Sequence, residues 1–284
     1  MRATRPVRFM PSNGIPSSKS IVILAYHSLD DSGSVLSTSP QVFAEQMRIL
    51  QELDVEVIPL TKIREVLEGE SASKPSVAIT FDDGFRNVYE HGFRILQRYG
   101  FPATIFLVTD YCGKMNDWPS QPLHIKRYPL LTWNEIREMS QGTIDFGSHT
   151  QTHSDLTMLP THRVEEELLG SKRKIEDAIG RPVDLFAYPY GALDDTVRKI
   201  VQTHFNLSCS TSLGFVGRQS DLFALERLDM YYLRRPMVFE RLLSKEMDLY
   251  IHFRRGMRNL RNRVPKWLKG KALSSRGETS LLEG

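Results

Sequence analysis

Short apolar runs alternate along the chain with segments whose apolar residues recur at helical spacing. The apolar runs are rich in β-branched and aromatic residues, a pattern that indicates buried strands. The predicted strands are residues 21–26, 77–81, 104–108, 143–147, 183–188 and 207–211. Because strands that alternate with helices favour a parallel sheet with helices outside it, the pattern predicts an α/β fold, either a doubly wound sheet or a barrel.

Four helices with recognisable ends are predicted between these strands, at residues 40–53, 86–99, 132–139 and 163–179. Ser39 followed by Pro40 is typical of the cap and first turn of a helix. Gly100 marks a helix C-terminus, and Thr132 and Glu135 have the reciprocal spacing of a capping box. Helix ends of this kind support the alternation of strands and helices.

The composition is that of an ordinary globular protein. The 284 residues include 40% hydrophobic and 25% charged residues, which fits one large α/β domain with a sizeable core. Only two cysteines occur, Cys112 and Cys209. Two distant cysteines form neither a disulfide framework nor a zinc–thiolate cluster, so two free buried thiols are predicted.

Charge is distributed unevenly around a net value of +3. Residues 254–276 contain nine Lys or Arg and no Asp or Glu. Residues 1–20 are basic and contain Pro, Gly and Ser where a signal peptide needs an apolar stretch, and the run 21–26 is too short to cross a bilayer. The predicted organisation is a flexible arm (1–20), a folded domain (21–250) and a basic tail (251–284), in a cytoplasmic protein.

Polar side chains follow several predicted strands, at the ends where parallel α/β folds collect their sites. His27 follows the first strand, and Asp82 and Asp83 follow the second. Adjacent buried carboxylates repel each other, and a bound cation compensates most simply, with one carboxylate as ligand and its neighbour free as a base. The alternative is a polar turn, because Asp-Gly is a common turn dipeptide.

His149 and His153 lie four residues apart after the fourth predicted strand. On a helical turn this spacing points both imidazoles to one face. Two histidines and one carboxylate suit Zn²⁺, Co²⁺ or Ni²⁺ and leave a position open for water. Such a pair is often incidental by itself, but together with the Asp pair it favours a metal site.

The two motifs resemble those of the polysaccharide deacetylase family, which has the NodB homology domain and is also called carbohydrate esterase family 4. TFDDG at 80–84 and HTQTH at 149–153 occur in the family's order. The resemblance implies a distorted (β/α) barrel that forms the catalytic domain over residues 21–250. It also implies one divalent metal ion, Zn²⁺ with Co²⁺ and Ni²⁺ as alternatives, with Asp83, His149 and His153 as ligands and Asp82 as general base.

The third motif departs from the common family pattern. Ala187 stands where many members have an Arg before Pro-Tyr-Gly, and FAYPYG resembles the branch of poly-N-acetylglucosamine deacetylases. In that branch the His after the first strand is the general acid, a role that the resemblance implies for His27; the alternative is a buried structural histidine. Arg227 is a candidate to replace the missing Arg beside Asp82, or else a surface residue on a late strand. Tyr190 is expected to supply a backbone N–H to the oxyanion and a ring to a sugar.

These features predict a hydrolase that removes N-acetyl groups from amino sugars in a polysaccharide, an oligosaccharide or a lipid-linked glycan. Two rival hypotheses are a deformylase or other amidohydrolase acting on a non-polymeric amide, and a catalytically silent carbohydrate-binding protein. Retention of both Asp residues and all three His residues argues against the second.

Residues 250–273 mix Arg and Lys with apolar residues, which suits a helix on an anionic membrane surface. Pro265 predicts two short segments rather than one, and the alternative is a solvated basic tail. Peripheral contact with the inner face of a membrane is therefore a hypothesis, and no nucleic-acid recognition motif is found.

Overall fold

The structure is a computed structural model that describes residues 21–69 and 74–263. Ten strands occur in this part of the chain. They are β1 (Ile21–Tyr26), β2 (Ser28–Leu29), β3 (Ser37–Thr38), β4 (Glu56–Val57), β5 (Ser76–Phe81), β6 (Ala103–Leu107), β7 (Ile144–Ser148), β8 (Leu185–Ala187), β9 (Leu207–Leu213) and β10 (Leu225–Asp229). The predicted strands are confirmed to within a few residues, although β8 is shorter and β9 longer than expected.

Seven parallel strands close into a barrel. Their order is β1-β10-β9-β8-β7-β6-β5, and β5 pairs again with β1 over the full length of both strands. The short strand β4 pairs with β5, while β2 and β3 form a separate two-stranded sheet. Because the barrel is closed, the backbone N–H and C=O groups that an open sheet would leave unpaired at its edges form hydrogen bonds. The predicted distorted (β/α) barrel is thus confirmed, and the doubly wound alternative does not apply.

Eight α-helices surround the barrel in the described residues. They are α1 (Pro40–Glu52), α2 (Ile63–Glu68), α3 (Phe93–Tyr99), α4 (Trp133–Ser140), α5 (Thr161–Ile179), α6 (Asp195–His204), α7 (Pro236–Phe239) and α8 (Lys245–Arg263). The Ser39 hydroxyl accepts from the Val42 N–H at 3.2 Å, and the capping box of Thr132 and Glu135 is present. A π-helical turn, Val88–Gly92, replaces the first part of the helix predicted at 86–99. Each described helix is too short or too polar to cross a bilayer.

Side chains of alternate barrel residues point to opposite sides, as the strand period of two requires. Ile21 and Ile23 of β1 pack with residues of β5, β6, β8, β9 and β10 inside the barrel, which the segment containing Leu60 and Ile63 closes at one end. Val22 and Leu24 pack instead with apolar residues of the surrounding helices. The inside of the barrel is therefore filled mainly with apolar side chains toward the amino ends of the strands.

Helix α8 runs through the boundary that was placed between residues 250 and 251, and Met247 and Ile251 on its inner face belong to the main hydrophobic core. The arm, the segment after residue 263 and Pro265 lie outside the described residues. The three-part division of the chain stays a prediction.

Both cysteines are free in the structure, as predicted. Cys209 is buried in β9 and Cys112 is partly buried. Burial raises the pKa of each thiol to about 12. Neither thiol is therefore a reactive group at neutral pH.

Candidate active site

The seven residues singled out from the sequence meet at the carboxyl end of the barrel. His27 follows β1, Asp82 and Asp83 follow β5, and His149 follows β7. His153 is four residues further on, Tyr190 follows β8, and Arg227 lies within β10. Because the strands are parallel, their carboxyl ends share one rim, and residues far apart in sequence become neighbours there.

Asp83, His149 and His153 form a buried group of ligand atoms. One ligand atom from each lies within 4.8 Å of the other two. The Asp83 Oδ1 atom is 3.5 Å from His149 Nε2 and 3.2 Å from His153 Nε2. Bonds of about 2.0–2.2 Å to a tetrahedral ion separate neighbouring ligand atoms by roughly 3.4 Å. The two distances from Asp83 are close to this value, so the three residues suit a single divalent ion.

The outer nitrogen of each imidazole has its own partner. His149 Nδ1 lies 2.7 Å from the carbonyl oxygen of Ala187, which can only accept, so Nδ1 carries the proton and Nε2 keeps its lone pair. Burial, and then the neighbouring His153, lower the pKa of His149 to about 4. This imidazole is therefore neutral at physiological pH, which is the form that binds a metal.

His153 Nδ1 is 2.9 Å from the Tyr190 hydroxyl, which in turn lies 2.7 Å from the Ser120 hydroxyl. The ring of Trp118 covers His153, with the ring centroids 4.4 Å apart, and is itself buried. Trp118 is thus packed against a candidate ligand and is not available to stack on a sugar. The Tyr190 ring remains exposed at the mouth of the site.

The helical-turn explanation for the two histidines is wrong. Residues 149–155 form no helix, and Thr150 and His153 have φ values of 69° and 58°. The convergence of the imidazoles comes from this irregular loop, which Glu167 of α5 holds. The carboxylate of Glu167 accepts from the backbone N–H groups of Gln151 and Thr152 at 2.8 and 2.9 Å and from the Thr152 hydroxyl at 2.7 Å.

Left-handed backbone is concentrated at this site. Five non-glycine residues in the described chain have positive φ, and four of them belong to the site motifs: Asp83, Thr150, His153 and Tyr190. Each such residue costs about 1 kcal/mol or more. The next residue after Asp83 is also left-handed, at φ 75°, and a Cβ there would lie 2.8 Å from the Leu107 side chain, so only Gly84 fits. The motif TFDDG is therefore a backbone requirement as well as a chemical one.

Asp82 stands apart from the three ligand residues and pairs with Arg227. The two guanidinium nitrogens Nη1 and Nη2 donate to the two carboxylate oxygens, each at 2.7 Å. Arg227 is only 2% exposed and also donates to the Ser210 carbonyl and the Thr80 hydroxyl. The surface alternative for Arg227 is therefore wrong. Burial acts to raise the pKa of Asp82, but Arg227 outweighs it and holds that pKa well below its ordinary value.

His27 lies on the open side of Asp82. Its Nε2 atom is 3.8 Å from Asp82 Oδ2, and its side chain is 22% exposed. His27 is therefore close to both solvent and the Asp82 carboxylate. This position differs from that of a buried structural histidine, which was the alternative hypothesis. The position allows exchange of protons between the site and water.

Three contributors were not identified as site residues from the sequence: Glu167, Ser120 and, as a cover for His153, Trp118. Glu167 is an acidic residue in a long polar helix, and Ser120 lies in a loop without a motif. Their roles arise from tertiary contacts, so no local signal marks them.

A closed parallel barrel with a buried Asp-His-His group at its carboxyl rim, beside a carboxylate held by arginine, is the arrangement expected of a metal-dependent hydrolase. Residues 69–205 match the family model described as Polysaccharide deacetylase. The chain therefore carries a polysaccharide deacetylase domain over these residues, as its motifs predicted, and relatives with this domain include carbohydrate N-deacetylases.

Individual relatives agree with this assignment. The chain is 29% identical over 171 residues to a poly-β-1,6-N-acetyl-D-glucosamine N-deacetylase of Staphylococcus epidermidis, which covers 56% of this chain and 55% of that enzyme. The chain thus spans about half the length of that relative. Two solved structures share the fold: the Streptococcus pyogenes deacetylase PplD (TM-score 0.70, 22% identity, 79% and 98% of the two chains) and IcaB from Ammonifex degensii (0.66, 24%, 78% and 97%).

The ion pair between Asp82 and Arg227 gives a prediction about stability. Arg227→Met removes the charge but keeps much of the side-chain volume, and it leaves Asp82 as a buried unpaired carboxylate. We expect the free energy of unfolding in urea to fall by about 3–5 kcal/mol, and Asp82→Asn in the same chain to recover part of the loss. Arg198→Met is the matched control, because its bidentate pair with Asp221 is partly exposed and is worth about 1 kcal/mol or less. Equal effects of the two Arg→Met variants would contradict the interpretation.

The support of the loop by Glu167 gives a second prediction. Glu167→Gln weakens an acceptor of three hydrogen bonds and is expected to lower the affinity for Zn²⁺ about 10-fold or more. Affinity is measured by competition with a chromophoric chelator. Glu166→Gln is the control, since the neighbouring Glu166 side chain is exposed and pairs with Arg163 on the surface. Wild-type affinity in Glu167→Gln would show that the loop needs no such support.

Proposed function

We propose that this chain is a metal-dependent N-deacetylase that releases acetate from N-acetylated amino sugars of a glycan. The observation that carries the proposal is that two adjacent carboxylates, Asp82 and Asp83, have different surroundings. Asp83 faces two imidazoles and is placed to bind a cation with them, whereas Asp82 is kept ionised by Arg227 and stays outside the ligand group. One carboxylate is thus available for a metal and the other for a proton.

Asp83, His149 and His153 would hold a divalent ion, for which Zn²⁺ is proposed and Co²⁺ and Ni²⁺ are the alternatives. When bound, such an ion polarises an amide carbonyl and lowers the pKa of a water molecule. Asp82 then accepts the proton that the attacking water loses. Arg227 fixes the plane of that carboxylate, so one orientation is ready before the substrate arrives.

His27 is proposed to return a proton to the departing amine. Its distance of 3.8 Å from Asp82 allows a proton to pass from the base to the acid after a small movement. The products are acetate and a free amino sugar, so one water is consumed and no other reactant is needed. Partial exposure of His27 also lets it exchange its proton with solvent between turnovers.

Tyr190 is proposed to serve the substrate in two ways. Its backbone N–H has no hydrogen-bond partner among the described residues and can donate to the oxygen that becomes negative. Its hydroxyl is fixed by His153 and Ser120, so the exposed ring has a defined position in which to face a sugar.

For the substrate, an N-acetylated amino sugar in a polysaccharide or oligosaccharide is favoured, because the relatives named after their substrate are N-acetylglucosamine polymer deacetylases. A deformylase or an amidohydrolase acting on a non-polymeric amide is not favoured by these relatives. A silent binding protein would have no use for the strained backbone of the site. A lipid-linked glycan is the alternative form of the substrate, and the cytoplasmic location stays a prediction.

The proposed reaction is tested by acetate release from N-acetylglucosamine oligomers. Chelation should abolish release, and Zn²⁺ or Co²⁺ should restore it. Asp82→Asn should bind the metal but lose about 10²–10⁴-fold in rate, because it cannot accept the proton. Asp145→Asn, a change of a partly buried carboxylate in β7, is the control and should keep the wild-type rate. Undiminished release by Asp82→Asn, or by the chelated protein, would refute the mechanism.

The role of His27 is tested by changing the leaving group. His27→Gln should lower acetate release from the amide substrate about 10²-fold or more, since the amine must be protonated as it leaves. Hydrolysis of p-nitrophenyl acetate should change little, because nitrophenolate leaves without a proton. Asp82→Asn is the comparison and should lose activity on both substrates. Equal losses of His27→Gln on the amide and the ester would assign His27 a role other than general acid.

A further inference from the structure

Helix α8 presents two apolar faces, one to the core and one to solvent. Met247 and Ile251 are buried in the main hydrophobic core. Leu249, Phe253 and Met257 are 73%, 64% and 52% exposed. A spacing of four residues places these three side chains in one row along the helix, which we call the α8 stripe. Single exposed apolar residues are common, whereas an aligned row indicates a surface that meets an apolar partner.

Charge of both signs stands at the start of α8, where Lys245 and Glu246 are exposed beside the α8 stripe. Three partly exposed arginines further along the helix are held against the body of the protein: Arg254 over the rings of Tyr232 and Tyr250, Arg255 on Glu226, and Arg258 on Thr211. The sequence continues this pattern, with nine Lys or Arg and no acidic residue over 254–276. A row of exposed apolar side chains that leads into a basic stretch of sequence is complementary to an anionic interface.

Helix α8 contacts a barrel strand close to the active site. Arg258 donates to the Thr211 carbonyl at 2.8 Å and to the Thr211 hydroxyl at 3.2 Å. That hydroxyl donates in turn to the Tyr190 carbonyl at 3.4 Å. The C-terminal half of α8 is therefore two contacts away from a residue that faces the site.

We propose that the α8 stripe docks this protein on the surface of an anionic lipid bilayer, with Leu249, Phe253 and Met257 in the boundary between headgroups and acyl chains. A nucleic acid would pair with the arginines and leave the apolar row in water, so the stripe favours lipid. Docking in this way would hold the catalytic barrel at the membrane, where glycans are attached or emerge. This second consequence rests on the proposed deacetylase function, while the docking itself does not.

The test is flotation of the full chain with vesicles. Binding to vesicles that contain phosphatidylglycerol is expected, with little binding to phosphatidylcholine alone. Leu249→Ser with Phe253→Ser should lower the bound fraction at least 10-fold, whereas Leu249→Met with Phe253→Leu keeps apolar side chains and should bind as the wild type does. Equal flotation of the two double variants would overturn the proposal. It would also be overturned if heparin displaced the protein completely from vesicles and bound both double variants as tightly as the wild type.

The same variants separate docking from other roles of the stripe. If residues 264–284 of the chain covered it, the double Ser variant would lower the free energy of unfolding without changing flotation, and the proposal would fail. Acetate release from a soluble oligomer should be unchanged in the double Ser variant, while release from a vesicle-bound N-acetylated glycolipid should fall with binding. If the wild type releases acetate but does not float with vesicles, the docking proposal fails and the proposed function stands. If the wild type floats but releases no acetate, the proposed function fails and the docking proposal stands.

Discussion

The active site depends on the buried ion pair between Asp82 and Arg227. Two adjacent carboxylates directly after a buried strand would repel each other, and desolvation would favour protonating one of them. Arg227 prevents this by donating to both oxygens of Asp82. The charge of Asp83 is then left without a fixed cationic partner, beside the imidazole of His149, whose pKa burial lowers. A divalent cation completes this balance and leaves one net positive charge, which suits a reaction that develops negative charge on an oxygen.

The pair also ties the barrel together at its functional end. In the strand order, β1 lies between β5 and β10, so Arg227 reaches from one strand across a neighbour to the end of another. It contacts the Thr80 hydroxyl of β5 and the Ser210 carbonyl of β9 as well. Bending any of these strands would break hydrogen bonds to a buried charge, which is costly. The position of Asp82 relative to the rim is thus fixed by the fold and not by its own loop.

Local patterns predicted much of this molecule. The strand and helix positions follow from apolar periodicity and end signals, and Asp83, His149 and His153 are recognisable because their motifs are contiguous. Arg227 was only a candidate, since its partner lies far away in sequence and an arginine within β10 is compatible with a surface position. Glu167 and Ser120 could not be predicted, because each acts through a contact between distant segments. The two histidines do lie in one site, as predicted. The predicted reason, a helical turn, is wrong, because the loop that carries them contains left-handed residues and no helix.

Hydrogen bonds hold the strained loop that carries His149 and His153. Thr150 and His153 both occupy left-handed backbone, which a free loop would relax. The Thr150 hydroxyl accepts from the His153 N–H at 2.9 Å, and Glu167 holds the two residues between them. Tyr190, itself left-handed, fixes the far side of the His153 ring. The ligand atoms therefore already have the spacing that one ion requires, and binding an ion demands little further ordering of the chain. The cost of the strained backbone is met during folding, which leaves the affinity for the metal undiminished.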